Sequence, residues 1–409
     1  MTRDHRIHRL FTEAGGELGI AGCPVSAWIA RAGGETPLFV YDRAIIAATI
    51  AELRIALPDA VGIHYAVKAN PLPALVEWML PRVDGLDVAS AGELRMVLAA
   101  GADAAKVSFA GPGKRDAELD LAITVGATLN IESAGEYARA AAIGRRLGKT
   151  VRAAVRVNPP FDIKASGMRM GGGARPFGID ADQVPALLAA IGADGTEFRG
   201  FHVFAGSQNL SAAALIDAQR QTVDLVADLS RHAPCPPPLV NMGGGFGIPY
   251  FPADQRLDIA AVGAALDATL AARPSVLKTT RFVLELGRYL VGECGVYLTR
   301  IIDRKTSHGE TFLITDGGLH HQLAASGNFG TVIRRNYPLV NASRFGAPVA
   351  ERAHVVGCLC TPLDRLGERV ELPDTRIGDI VGVFMAGAYG LTASPTAFLG
   401  HDKPAEILA

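Results

Sequence analysis

"GIHYAVKANP", residues 62–71, sets a lysine at the end of an apolar stretch, just ahead of an Asn-Pro turn. Its alternation puts Ile63, Tyr65 and Val67 on one strand face and His64, Ala66 and Lys68 on the other. Lys68 is the last residue before "ANP" ends the strand. Such a lysine either snorkels into water or serves as an amine of lowered pKa for covalent chemistry with a carbonyl. The residues around it must decide between the two.

Comparable apolar runs recur along the chain: "PLFVYD", "GLDVAS", "KVSFAG", "TLNIES", "RAAVRVN", "GFHVFAG" and "LVNMGGGF". Between them lie segments with apolar residues at helical spacing, such as "IIAATIAELRIALP", "AGELRMVLAAG" and "SAGEYARAAAIGRRLG". With "GIHYAVKAN" these make about eight strand–helix units, the rhythm of a parallel (β/α)8 barrel of the TIM type within the α/β class. A doubly wound open sheet is the alternative. After residue 280 the rhythm changes. "TRFVLELGRYLVGECGVYLTRIIDRK", "ETFLITDG", "RVELP" and "DIVGVFMAGAY" read as longer strands with little helix. The expected division is therefore a barrel over residues 44–280. A β-sandwich or β-barrel domain would comprise residues 1–43 and 281–409. "APCPPP" at 233–238 reads as a loop inside the barrel.

The totals narrow the function classes. At 409 residues the chain exceeds a single-core domain. A net charge of −1 leaves no basic stripe for nucleic acid. No apolar run approaches the roughly 18 residues of a membrane span, and the charged N-terminus lacks a signal-peptide core. Five scattered cysteines fit reduced thiols, so a cytoplasmic location is expected.

In a barrel of this kind reactive groups sit at the C-terminal ends of the strands. Those ends carry Lys68, Asp87 with Ser90, Gly111-Pro112-Gly113, Glu132, Arg156 with Asn158, His202 and Gly243-Gly244-Gly245, followed by Glu285 and Arg288. Each has an ordinary reading: a tight turn for the glycines, a core histidine for His202, a surface charge for Glu285. Their combination matches pyridoxal phosphate. Its aldehyde needs an amine (Lys68), and its phosphate needs a glycine-lined donor nest with a cation (Gly243–Gly245, Arg288). Its ring nitrogen needs a carboxylate (Glu285), and its flat face needs a planar neighbour (His202).

The motifs "YAVKAN", "GLDVASAGE", "FAGPGK", "RVNP", "GGGFG", "ELGR", "CTPLD" and "GAYG" follow in order over most of the chain. In them the sequence resembles the alanine-racemase-fold amino-acid decarboxylases, the group of diaminopimelate, ornithine and carboxynorspermidine decarboxylases. "FAGSQNL", "DGGLHHQLAASGNFG", "RRNYP" and "GLTASPTAFLGH" look most like the exosortase-system-associated pyridoxal-dependent decarboxylases. The carrier-protein-linked glutamate decarboxylases and siderophore-pathway decarboxylases look like near relatives.

The resemblance implies an amino-acid decarboxylase, free or carrier-linked in its substrate, with pyridoxal phosphate on Lys68 and His202 stacked on the ring. Glu285 would partner the ring nitrogen. Gly243, Gly244, Gly245, Gly287, Arg288, Tyr389 and Ser207 would hold the cofactor. It further implies a homodimer with shared sites, in which Cys360 of the partner subunit protonates Cα and Asp364 holds the substrate. Arg334 or Arg335 would bind a substrate carboxylate, or else form a solvated basic turn. A racemase of the same fold would need a tyrosine base where the motif supplies Cys360. Departures from the family pattern are the longer "HVFAGSQ", Leu286 in place of proline, and "CTPLD" in place of "CESGD". A metal reading of Cys358 with Cys360 is set aside because no second cysteine pair supplies the remaining ligands; one of His320 with His321 is not adopted either, so no metal is expected.

Overall fold

The computed structural model describes residues 7–162, 168–169, 171–328 and 335–409. It divides into two units. One comprises Ile50–Ile248 with Arg256–Tyr289; the other comprises the chain up to Thr49, Pro249–Gln255 and Leu290–Ala409.

The first unit is a closed barrel of eight parallel strands. They are β1 (Val61–Ala66), β2 (Gly85–Val88), β3 (Val107–Phe109), β4 (Thr128–Ile131), β5 (Arg152–Asn158), β6 (Glu197–Val203), β7 (Leu239–Asn241) and β8 (Arg281–Leu286). Each pairs in parallel with its successor. The ring closes where β8 meets β1, from Phe282 opposite Val61 to Leu286 opposite Tyr65. β1, β2 and β4 are buried at every position. Both faces of such strands are covered, one by the packed interior and one by helices, so they read as unbroken apolar runs.

Local signals start the intervening helices. "SAGE" occurs twice: Ser90 accepts the Glu93 amide at 3.1 Å, and Ser133 accepts the Glu136 amide at 3.0 Å. Each glutamate reaches back to the amide just before its serine, at Ala89 and Glu132. These reciprocal bonds satisfy donors that a helix start leaves open. They therefore fix where the strand-end loops at the barrel mouth hand over to helix.

The second unit is built on a mixed eight-stranded sheet. Its spine is Gly295–Ser307, whose buried first half pairs antiparallel with Ile380–Val383 and with Leu38–Tyr41. Its exposed second half pairs with Glu310–Thr315. Glu351–Val356 joins that strand in parallel, and Ala405–Leu408 joins Leu38–Tyr41 in parallel.

Three expectations are corrected here. "PLFVYD", counted among the strand–helix units although the expected barrel begins at residue 44, is Leu38–Tyr41 of the mixed sheet; a buried strand followed by a helix looks alike in both settings, and its distant partners decide. The eighth barrel strand is Arg281–Leu286, so the barrel unit extends to Tyr289 rather than ending at residue 280. The long segment from 280 is broken after Leu286 by the helix Arg288–Val291, before Gly295–Ser307 begins.

One glycine in the wall governs how β6 reaches the mouth. The β5–β6 register shifts between Phe198 and Gly200, and Gly200 has φ +105°. A Cβ there would drive into the Leu239 carbonyl of β7. Such a bulge bends its strand and re-aims the side chains that follow, here His202 two residues on. Gly200→Ala therefore meets both a strained backbone and a backbone clash. We expect it to lower unfolding stability by about 2–4 kcal/mol, checked by thermal or urea unfolding.

Candidate active site

β1 ends at Ala66, and Lys68 lies in a 3-10 turn, Val67–Ala69, rather than on the strand face expected for it. Asn-Pro chemistry makes the turn. The Asn70 side chain accepts the Leu72 amide at 3.1 Å, and the Asn70 carbonyl accepts the Tyr65 hydroxyl at 2.7 Å. The turn lifts Lys68 off the wall, leaving its side chain 42 % exposed. Gly287, just beyond β8, permits this; a Cβ on it would stand 2.8 Å from the Ala69 Cβ.

Lys68 nonetheless does not float free. Its Nζ lies 3.2 Å from Glu285 Oε1, at the end of β8. The other oxygen, Glu285 Oε2, lies 3.1 Å from His202 Nε2, at the end of β6. Glu285 and His202 are buried. Burial alone would raise the Glu285 carboxyl. The Lys68 ammonium, the His202 hydrogen bond and the more distant Arg156 overcome it and hold the group far below the ordinary carboxylate range. A carboxylate held in its ionised form thus sits between an amine and an imidazole. The His202 Nδ1 is buried without a hydrogen-bond partner among the described residues. The Phe204 ring passes 5.3 Å from Lys68 Nζ.

The glycine turn follows β7. Gly243 and Gly245 have φ +67° and +82°, and a Cβ on Gly244 or Gly245 would strike the carbonyl of Glu285 or of Gly206. The turn is pinned through Asn241, whose Oδ1 accepts the Gly243 amide at 2.9 Å. Asn241 Nδ2 donates to Asp87 Oδ1 at 3.4 Å, across the barrel. Among the described residues, no acceptor takes the amides of Gly244, Gly245 or Phe246. Three successive amides left open on a bare backbone form a nest for an anion. Ser207 borders it, its Cα 3.8 Å from where a Gly245 Cβ would stand. Arg288 opens the short helix after β8 and is half-buried.

A second group of charges closes the mouth. Glu132 Oε1 accepts Arg156 Nη1 at 2.7 Å, and its oxygens also take the Gly111 and Gly178 amides. Burial would raise Glu132; Arg156 and Lys114 together hold it low. Lys114 and Glu136, a fully buried pair at 2.6 Å, escaped the sequence reading. Burial pushes Lys114 down and Glu136 up. The usable signal was "GPGK" opposite the second "SAGE", since Lys114 Nζ also donates to the Gly111 and Asn130 carbonyls.

The remaining candidates belong to the second unit. Cys360 is exposed. Asp364 is buried, with Oδ1 accepting the Leu319 amide at 2.7 Å and Oδ2 the Leu359 amide at 2.9 Å. Its carboxylate thus ties the loop that carries Cys360 to the segment at Leu319. Tyr389 has φ +52°, an uncommon backbone for a bulky side chain. Arg335 is exposed, stacked 3.7 Å over Phe251 and 3.8 Å from Asp254. Arg334 lies outside the described residues.

Residues 43–292 match the family model for the pyridoxal-dependent decarboxylases, pyridoxal binding domain. The chain is 38 % identical over 380 residues to the L-glutamyl-[BtrI acyl-carrier protein] decarboxylase of Niallia circulans, covering 91 % of this chain and 89 % of that protein. It is 30 % identical to the diaminopimelate decarboxylase of Archaeoglobus fulgidus, covering 98 % and 93 %. The crystal structure of diaminopimelate decarboxylase from M. jannaschii superposes with a TM-score of 0.89 at 24 % identity, covering 99 % of this chain and 93 % of that one, which bears on the fold. The chain belongs to the pyridoxal-dependent decarboxylases. It is an enzyme of that class, with the fold its relatives share.

The Glu285 shift has a measurable consequence in the cofactor-free chain. Its folded pKa lies below the unfolded value, so the unfolded state binds more protons and the native state loses this contribution as pH falls. Glu285→Gln should flatten the dependence of unfolding free energy on pH between about 5 and 2. Denaturant melts across that window check it, and an unchanged slope would contradict the assignment.

Proposed function

We propose that Lys68, Glu285 and His202 are the reaction centre for removing CO2 from the α-carbon of an amino acid. The single observation that supports this is one buried, ionised carboxylate held by an amine and an imidazole, beside a glycine turn whose amides face no protein acceptor among the described residues. The residues fit pyridoxal phosphate. When bound it supplies an aldehyde for the substrate amine and a protonated ring that takes up the electron pair left by CO2.

The chain's own groups then have distinct tasks. Lys68 is the carbonyl-condensing amine, and its turn gives the side chain the reach to exchange with substrate. Glu285 places negative charge where a ring proton must be kept. Each 1.36 kcal/mol lost from that stabilisation costs tenfold in rate. His202, buried and fixed through its Nε2, presents a rigid plane. Gly243, Gly244 and Gly245 offer amides to the phosphate, with Ser207, Gly287, Arg288 and Tyr389 completing the cofactor site. Cys360 of the partner subunit returns a proton to Cα. Asp364 supports the loop bearing that thiol. In this reading the enzyme works as a homodimer, and its five free cysteines suit a cytoplasmic location.

A carrier-linked substrate is favoured over free diaminopimelate by one finding: the chain is nearer in sequence to the relative that acts on a carrier-bound L-glutamyl group, 38 % against 30 %. Arg335, or Arg334 beside it, would meet a distal carboxylate. A CO2-release screen with free and carrier-tethered basic and acidic amino acids tests this; turnover of free diaminopimelate alone would reverse it.

Lys68→Ala should lose the yellow colour of the loaded enzyme and slow turnover at least about 1000-fold, about 4 kcal/mol of barrier. Mixing inactive Lys68→Ala and Cys360→Ala homodimers should restore activity. Random exchange leaves about one quarter of the sites native if the two residues come from different subunits. No recovery on mixing would place both residues in one chain's own site.

A further inference from the structure

The second unit contains two neighbouring histidines with opposite surroundings. His321 is satisfied at both nitrogens: Nδ1 lies 3.1 Å from the Tyr297 hydroxyl and Nε2 lies 3.0 Å from the Asp402 carbonyl. His320 is 0 % exposed, yet neither of its ring nitrogens has a hydrogen-bond partner among the described residues. Buried polar groups are ordinarily paired, so His320 requires an explanation.

Its surroundings supply one. Ligand atoms of His320, Cys358 and His401 all lie within 4.8 Å of one another. The Cys358 sulfur is 3.9 Å from His401 Nε2 and 4.0 Å from its Nδ1, and the His320 and His401 rings are 5.2 Å apart. Tetrahedral zinc, at about 2.3 Å from sulfur and 2.0–2.1 Å from nitrogen, needs ligand atoms about 3.3–3.6 Å apart. Small side-chain rotations would close that difference, since His401 is exposed and Cys358 half-buried. The three residues come from separate segments: the loop after Glu310–Thr315, the loop after Glu351–Val356, and the stretch before Ala405–Leu408. That separation is why adjacent cysteines or adjacent histidines in the sequence did not reveal it.

We propose that His320, Cys358 and His401 form a site for a divalent cation of the zinc class, with its fourth position open to solvent. The nearby carboxylates do not compete for the ion. Asp316 is engaged by Thr36, Thr299 and the Arg300 amide, and Asp364 by two backbone amides. Thiolate with two imidazoles selects borderline metals over calcium or magnesium. On binding, the Cys358 thiol releases its proton to solvent and sulfur becomes a thiolate ligand. The ion would tie the C-terminal stretch to the loop that carries Cys360, while leaving Cys360 itself unbound. His321 would brace the site, because its ring lies 3.7 Å from that of His320 and holds the Asp402 carbonyl next to His401.

Chelator-treated, desalted enzyme titrated with Co2+ alone tests the proposal. A thiolate-to-cobalt charge-transfer band should saturate at one equivalent per chain and be displaced by Zn2+. Cys358→Ser should abolish the band, and Cys360→Ser should leave it unchanged. His401→Ala, at an exposed position that does not endanger folding, should weaken Co2+ binding at least about 100-fold, beyond what loss of an outer partner costs. Absence of a thiolate band in the parent enzyme, its survival in Cys358→Ser, its loss in Cys360→Ser or undiminished affinity in His401→Ala would each overturn the site.

Discussion

A carboxylate taken out of water and kept charged governs this barrel. Removing an ion from water costs several kcal/mol even after relaxation, so a lone buried glutamate would protonate instead. Glu285 stays ionised because Lys68 and His202 approach its two oxygens and Arg156 adds its charge from further away. Removing Lys68 or His202 takes the partner from one of the two carboxylate oxygens and weakens the hold on the charge. The geometry is thus mutually enforced: β1 delivers the amine, β6 the imidazole, and β8 the acid.

The supports of this trio are less obvious than its members. The Lys68 turn depends on Asn70 and Tyr65 on one side and on the missing Cβ of Gly287 on the other. The glycine turn depends on Asn241, and through it on Asp87 across the interior. A bulge at Gly200 sets the path of β6 to His202. Every one of these is a backbone-positioning device of the kind that active sites require, because angstrom errors in placement are costly in rate.

Much of this was legible in the sequence. Lys68, His202, Glu285 and the three glycines each stand at a strand end followed by turn residues, and strand ends of a parallel barrel converge on one mouth. Where pairing is decided by distant residues, the local rhythm was ambiguous. Leu38–Tyr41 has the local signature of a barrel strand, but its hydrogen-bond partners are Gly295–Ser307 and Ala405–Leu408. The Lys114–Glu136 pair was hidden because a loop lysine and a glutamate in the first turn of a helix usually face water. That Asp364 takes the Leu319 and Leu359 amides was not legible either, because the backbone partners of a loop carboxylate are set by the folded chain. A sequence shows which residue types are present, whereas burial and partner choice belong to the assembled chain.

The measurement that bears most directly on this account is the attachment point of the cofactor. Enzyme loaded with pyridoxal phosphate and treated with borohydride retains it covalently on whichever amine it has condensed with, and peptide mass spectrometry locates it. The account requires the label on Lys68. Label on Lys114, or on any lysine other than Lys68, or no labelled lysine at all, would contradict it.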